Sequence, residues 1–320
     1  MKSLRYFLLA ILGITGLCIT WYLFQFPYAF APFINPLLMM LLPLALGIFL
    51  ARRLGGSWQL YGLGAATFIG SQIAHIPFNI WTLNPIIQNL GLGNAPGTLD
   101  LAIVGLLAGL SAGVFEETAR YLVYQLWAKE TKTWSQGLMF GAGHGASEAI
   151  ILGVLALAGF LQMLTLRGGL EGLGIPADQI EGVQASVAAY WGTPWYIFFL
   201  STVERIAAIT FHMAAALLVL KAVRRSNILW YFAAILGHTL FNAIALYSNV
   251  TWGPLVAEGL IVLMALGFAG LIFWLREEDE ENPEGFDEDT GQPQSPVSGL
   301  QSSTTPEITP DRIEDSRYDG

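Results

Sequence analysis

The chain has 320 residues, 54% of them hydrophobic and 12% charged, with a mean hydropathy of +0.54. Its apolar residues come in runs of about 20, too long for a water-soluble core, which excludes a soluble globular protein. The formal charge of -9 is uneven: residues 277–320 hold 14 acidic and 2 basic residues, whereas residues 1–276 hold 13 basic and 10 acidic. One cysteine, Cys18, excludes an intramolecular disulfide and any cysteine-rich metal site.

Eight spans are expected, near residues 6–24, 33–51, 58–82, 101–127, 134–164, 194–220, 227–248 and 254–275. The first follows Lys2 and Arg5 and resembles a signal peptide in charge. Its apolar stretch from Tyr6 to Phe24 is too long for a signal core and lacks a small-x-small cleavage site, so it reads as an uncleaved span. Leu17 before Cys18 argues against lipoprotein processing. Arg52 and Arg53, Lys129 and Lys132, Lys221 with Arg224 and Arg225, and Arg276 fall with Lys2 and Arg5 on alternate boundaries. The positive-inside rule then puts both termini in the cytoplasm and leaves Arg167 as the single basic residue of the outer loops.

The outer segment from Arg167 to Thr193 is rich in glycine and reads as a surface loop or a lid. Residues 277–320 lack apolar periodicity and read as a disordered, acidic, cytoplasmic tail. The expectation is thus an all-α, polytopic transmembrane helical bundle over residues 1–276, multi-pass in the cell membrane. The bilayer is its first partner, and no nucleic acid is expected.

Ionisable side chains inside the spans are costly, at least ~2.5 kcal/mol for Asp, Lys or Arg at mid-depth on insertion scales. Several occur here at matching depths. Glu117 is 12 residues from Lys129, His144 is 12 from Lys132, His212 is 9 from Lys221 and His238 is 13 from Arg225. At ~1.5 Å per residue these lie roughly 14 to 20 Å from the basic boundary. Glu148, Glu204 and Asn242 form a second layer slightly further out. His144 and Glu148, Glu204 and His212, and His238 and Asn242 are four or eight residues apart, so each pair shares a helix face. Each residue also has a plainer reading. Glu117 and Arg120 can be a self-neutralising i,i+3 pair, a lone membrane histidine can simply bond a neighbouring helix, and the Gly141-Ala-Gly143-His144-Gly145 run can serve close packing. His75 and Glu258 read as packing or cavity rim.

Glu116-Glu117 with Arg120, Phe140-x-x-x-His144 and His238-x-x-x-Asn242 resemble, in order and spacing, the signature motifs of the CPBP (CAAX protease and bacteriocin-processing) intramembrane proteases. Within that superfamily the chain looks most like the YhfC branch of intramembrane metalloproteases. The resemblance covers residues 110–245. Two residues rather than three separate the glutamate pair from Arg120, a spacing also similar to the Glu-Glu-x-x-Lys of PrsW proteases.

The resemblance implies hydrolysis of a peptide bond in a membrane protein or lipidated peptide. Glu116 or Glu117 would deprotonate water, His144 would bind the water or a metal, and His238 with Asn242 would steady the oxyanion. Arg120, Glu148 and Glu204 would support them. His212 joins on depth alone, and His144, His212 and His238 with a carboxylate would suit zinc. A metal-free glutamate mechanism, in which the imidazoles only hydrogen-bond, uses the same residues. An ion- or proton-coupled transporter and a non-catalytic membrane scaffold are the alternative readings.

Overall fold

The computed structural model describes residues 15–16, 21, 25–170 and 172–281. The expected span at 6–24 and the acidic tail therefore lie almost wholly outside the described residues. The described residues up to Asp279 cluster as one unit. All described secondary structure is helical, and beside short 3-10 turns at Pro27–Ala29 and Ala177–Gln179 it includes the α-helices α1 Phe30–Leu54, α2 Trp58–Phe78, α3 Asn84–Asn89, α4 Leu99–Leu126, α5 Trp134–Arg167, α6 Ile180–Gly192, α7 Trp195–Arg224, α8 Leu229–Trp252 and α9 Pro254–Glu281. A π-helical turn, Asn79–Leu83, joins α2 to α3.

Six of these helices are long and apolar enough to cross a membrane: α1, α4, α5, α7, α8 and α9, the last over Pro254–Arg276. The chain is a multi-pass membrane protein. The expected span at 58–82 is a helix too, but α2 is not among the six. Its sequence includes Gln72 and His75, and side chains that serve a polar interior lower its hydropathy. The Arg167–Thr193 segment is more ordered than a loop, since it contains α6, whose Trp191 indole donates to the Met163 carbonyl at 3.3 Å. Helix α9 also continues through Glu281, past the expected end of the membrane domain at 276.

Helix ends follow local chemistry. The Thr133 side chain and Gln136 form a reciprocal capping box at the start of α5. Ser57 caps α2 and Thr98 caps α4. Gly55, at φ 65°, ends α1 in a left-handed conformation that a side chain would resist.

Lipid is as apolar as leucine, so packing shape rather than water release brings membrane helices together. Small residues supply that shape. On α4, Gly105, Gly109 and Gly113 form a stripe of period four, and a Cβ at each would press on Ala243, Thr239 and Ile235 of α8 respectively. On α5, a Cβ at Gly143 would collide with the Tyr61 backbone of α2, and one at Gly141 would come within 2.7 Å of the His212 carbonyl of α7. Helix α7 is the most enclosed span, with 78% of its apolar window buried. It presents Ala207, Ala208, Ala214, Ala215 and Ala216 to its neighbours. These contacts draw α2, α4, α5, α7 and α8 together at the level of the ionisable residues.

The α4–α8 approach yields a prediction. Gly109→Ala should lower thermal stability in detergent, at a cost of about 1–3 kcal/mol from overpacking, because the Thr239 backbone has no room to yield. Gly62→Ala, which meets nothing within 4 Å, should leave the melting temperature at or above that of the parent. Paired melting curves check both.

Candidate active site

Helix α4 contributes Glu116, Glu117 and Arg120, all buried. Glu117 and Arg120 are i,i+3 neighbours on a helix face and form an ion pair with no exposed side-chain surface. The other Glu117 oxygen, Oε1, lies 2.9 Å from His238 Nδ1 of α8. A carboxylate only accepts, so His238 carries its hydrogen on Nδ1 and turns Nε2 toward Glu116, 4.0 Å from Glu116 Oε2. Glu117 is thus held at both oxygens.

Glu116 is held differently. Its Oε1 accepts from Gln72 Nε2 of α2 at 3.0 Å. Its Oε2 lies 3.1 Å from His144 Nε2 of α5. No guanidinium bonds it among the described residues.

His212 of α7 closes the ring. Arg120 Nη2 donates to His212 Nδ1 at 3.2 Å, and His212 Nε2 donates to Glu148 Oε2 of α5 at 2.8 Å. Glu148 Oε1 accepts from Arg205 at 2.6 Å, and Arg205 also donates to Glu204 at 2.5 Å. A continuous series of charge-assisted bonds therefore runs from His238 through Glu117, Arg120, His212, Glu148 and Arg205 to Glu204. Around it the His144 and His212 rings stand 4.8 Å apart, and Phe211 packs edge-on to His238 at 4.9 Å.

The residues expected in one layer are brought into one connected group, and Glu148 and Glu204 join it through His212 and Arg205. Asn242 is not drawn in. It is half-buried one turn beyond His238 and makes no side-chain hydrogen bond among the described residues. Glu258 lies on a cavity of about 380 Å3 with Ser201, Glu204 and Asn249. His75, expected as rim or packing, is buried in a polar group with Gln72, Asn79 and Ser111. Gln72 and Arg205 take places that sequence reasoning did not assign. The signal for Gln72 was its i,i+3 spacing from His75 on a span of low hydropathy.

Ligand atoms of Glu116, His144 and His212 all lie within 4.8 Å of one another, a group able to hold a metal ion. His238 is not in that group. Two further observations favour a fit. His144 Nδ1 is buried with no hydrogen-bond partner. His212 donates Nε2–H to a carboxylate, the outer-shell arrangement that orients metal-binding imidazoles and leaves the second nitrogen for the metal. Ligation through His212 Nδ1 would exchange its bond to Arg120. Charge points the same way, because the four carboxyls of Glu116, Glu117, Glu148 and Glu204 are accompanied by only two guanidiniums, Arg120 and Arg205, leaving two negative charges when all four are ionised. Protons or a divalent cation restore neutrality in a medium that penalises net charge.

Residues 38–264 match the family described as YhfC intramembrane metalloprotease. The chain is also 30% identical over 239 residues to a Bacillus subtilis (strain 168) protein named "Uncharacterized membrane protein YhfC", covering 73% of this chain and 90% of that one. No solved structure matches. The family match takes in every helix from α4 to α8, and the chain belongs to the YhfC intramembrane metalloprotease family.

Proposed function

We propose that the protein is an intramembrane peptidase whose reacting carboxylate is Glu116, acting on a membrane protein or a lipidated peptide. The observation that carries this reading is the contrast between the two glutamates. Glu117 has both oxygens held, by Arg120 and His238, which suits a positioning group. Glu116 turns Oε2 toward two imidazole nitrogens, His144 Nε2 and His238 Nε2. A base must keep basicity and a lone pair for the proton it takes; Glu116 is bonded only by an amide and an imidazole, with no guanidinium among the described residues, so its carboxylate is the less neutralised of the two.

In the metal-free reading, Glu116 Oε2 accepts the proton of the attacking water and returns it to the leaving amine. His238, anchored through Nδ1 on Glu117, receives or supplies a proton at Nε2 beside it. His144 Nε2 bonds the same Glu116 oxygen, and its unpartnered Nδ1 is the nitrogen left to orient a water. A bound metal would be held by Glu116, His144 and His212, and would supply Lewis-acid polarisation of the carbonyl and a more acidic water. Zinc suits that donor set. Glu116 then serves as a ligand, so either chemistry ends with its loss. Asn242, one turn from His238 and without a side-chain hydrogen bond among the described residues, would steady the oxyanion.

Cleavage of a transmembrane peptide in proteoliposomes tests the assignment. Glu116→Gln should reduce the rate about 10²–10⁴-fold with the melting temperature near that of the parent. Glu117→Gln should instead lower stability by about 3–5 kcal/mol, because it leaves Arg120 buried without its carboxylate. Activity undiminished in Glu116→Gln would remove the assignment.

Elemental analysis of protein purified without chelator separates the two chemistries. Roughly one zinc per chain, lost in His144→Ala and restored to the parent by add-back after chelation, is expected for the metal-dependent form. Cleavage that persists in metal-free protein would show that the carboxylate works alone.

A further inference from the structure

One group of buried and half-buried polar side chains is not used by the chemistry proposed above. Gln72, His75 and Asn79 stand at i, i+3 and i+7, along one face of α2 and into the π-helical turn that ends it. Their face meets Ser111 and Glu116 of α4.

The direction of every hydrogen bond in the group can be assigned from its end. The Glu116 carboxylate accepts, so Gln72 must present Nε2–H to Oε1, at 3.0 Å. The Gln72 carbonyl then faces His75, whose Nδ1 carries the hydrogen and donates to it at 3.3 Å. His75 Nε2 must in turn accept, and Asn79 Nδ2 donates to it at 3.0 Å. Asn79 Oδ1 accepts from the Ser111 hydroxyl at 2.9 Å. Ser111 Oγ also lies 3.0 Å from His75 Nε2, so its one hydrogen is shared between two acceptors. Every donor in the series points toward Glu116.

Packing alone does not account for this arrangement. Apolar side chains would fill the same space in a membrane helix at lower cost, and single interhelical hydrogen bonds in membranes contribute only about 0.6 kcal/mol on average. The π-helical turn begins at Asn79, and such turns are frequent at functional sites. His75 is also fixed in orientation by the Phe115 ring, which stacks on it at 5.3 Å one residue before Glu116.

We propose that Gln72 is the positioning residue of Glu116, and that His75, held by Asn79 and Ser111, fixes the Gln72 amide so that its N–H meets the carboxylate. The proposal rests on the reading of Glu116 as the reacting carboxylate. Gln72 secures Oε1 with a neutral donor and leaves Oε2 facing His144 and His238. A carboxylate free to rotate would spend less time in that geometry, which lowers the rate of the chemical step more than substrate binding.

The test uses the full chain in proteoliposomes, with kcat, KM and melting temperature measured for Gln72→Leu, Gln72→Glu, His75→Leu and the Gln72→Leu/His75→Leu pair. Gln72→Leu should lower kcat about 10–100-fold with KM within about twofold. Gln72→Glu keeps the shape but sets a second carboxyl against Glu116, so that the pair shares one proton or repels and the basicity of Glu116 is lost, and it should be no more active than Gln72→Leu. His75→Leu should lower kcat by a smaller factor, and the double variant should match Gln72→Leu alone, because both act through one chain. Infrared difference spectra should show the Glu116 carboxylate band, assigned by its loss in Glu116→Gln, displaced in Gln72→Leu. Parental kcat in Gln72→Leu or Gln72→Glu would overturn the proposal, as would an unmoved carboxylate band. Glu116→Gln measured alongside separates the two failures: if it is inactive while Gln72→Glu is fully active, only the positioning role falls, whereas an active Glu116→Gln removes the reading beneath it.

Discussion

The Arg120 guanidinium has no exposed surface, and its burial constrains everything around it. Removing such a charge from water costs several kcal/mol unless carboxylates and good acceptors meet it directly. Glu117 and His212 meet it, and each is then obliged to find a further partner, His238 and Glu148 respectively. Four helices are tied by this one requirement. The approach it demands is short, and the glycines of α4 and α5 provide the room: residues with a Cβ at 109, 141 or 143 would hold the backbones apart.

The same requirement divides the labour between adjacent glutamates. Glu117 faces Arg120 and is consumed in holding it. Glu116, one residue earlier, points about 100° around the helix and meets only a neutral amide and imidazoles. Two identical side chains next to each other thus have different environments, a condition that commonly separates a structural carboxylate from a reacting one. The negative charge left over by the paired groups then makes the centre receptive to protons or a divalent cation, in keeping with the family's description.

Much of this was legible in the sequence, for a physical reason. Hydrocarbon penalises ionisable groups so strongly that Glu116, Glu117, Arg120, His144, Glu148, Glu204, His212 and His238 stand out against apolar runs, and helical rise converts their positions to depth. Their convergence was readable because depth is one-dimensional. Rotation about each helix axis was not. Asn242 shares a face with His238 by spacing, yet its side chain makes no hydrogen bond among the described residues. Gln72 escaped notice because an amide carries no charge to mark it among apolar residues, and its role depends on which helix α2 faces. The α4 glycine stripe was present in the letters, but which helix it would meet was not. The outer segment hid α6 behind its glycines, whose turns at Gly169, Gly172 and Gly174 precede the helix rather than interrupt it.

The account stands or falls on water attack under the control of Glu116. The most direct measurement is cleavage of a defined transmembrane peptide by the reconstituted protein in ¹⁸O-enriched water, with the products read by mass spectrometry. The account predicts one labelled oxygen in the new carboxyl terminus with the parent protein, and no product above background with Glu116→Gln. Equal labelling by the two proteins, or ion flux across the vesicles with the peptide left intact, would contradict it.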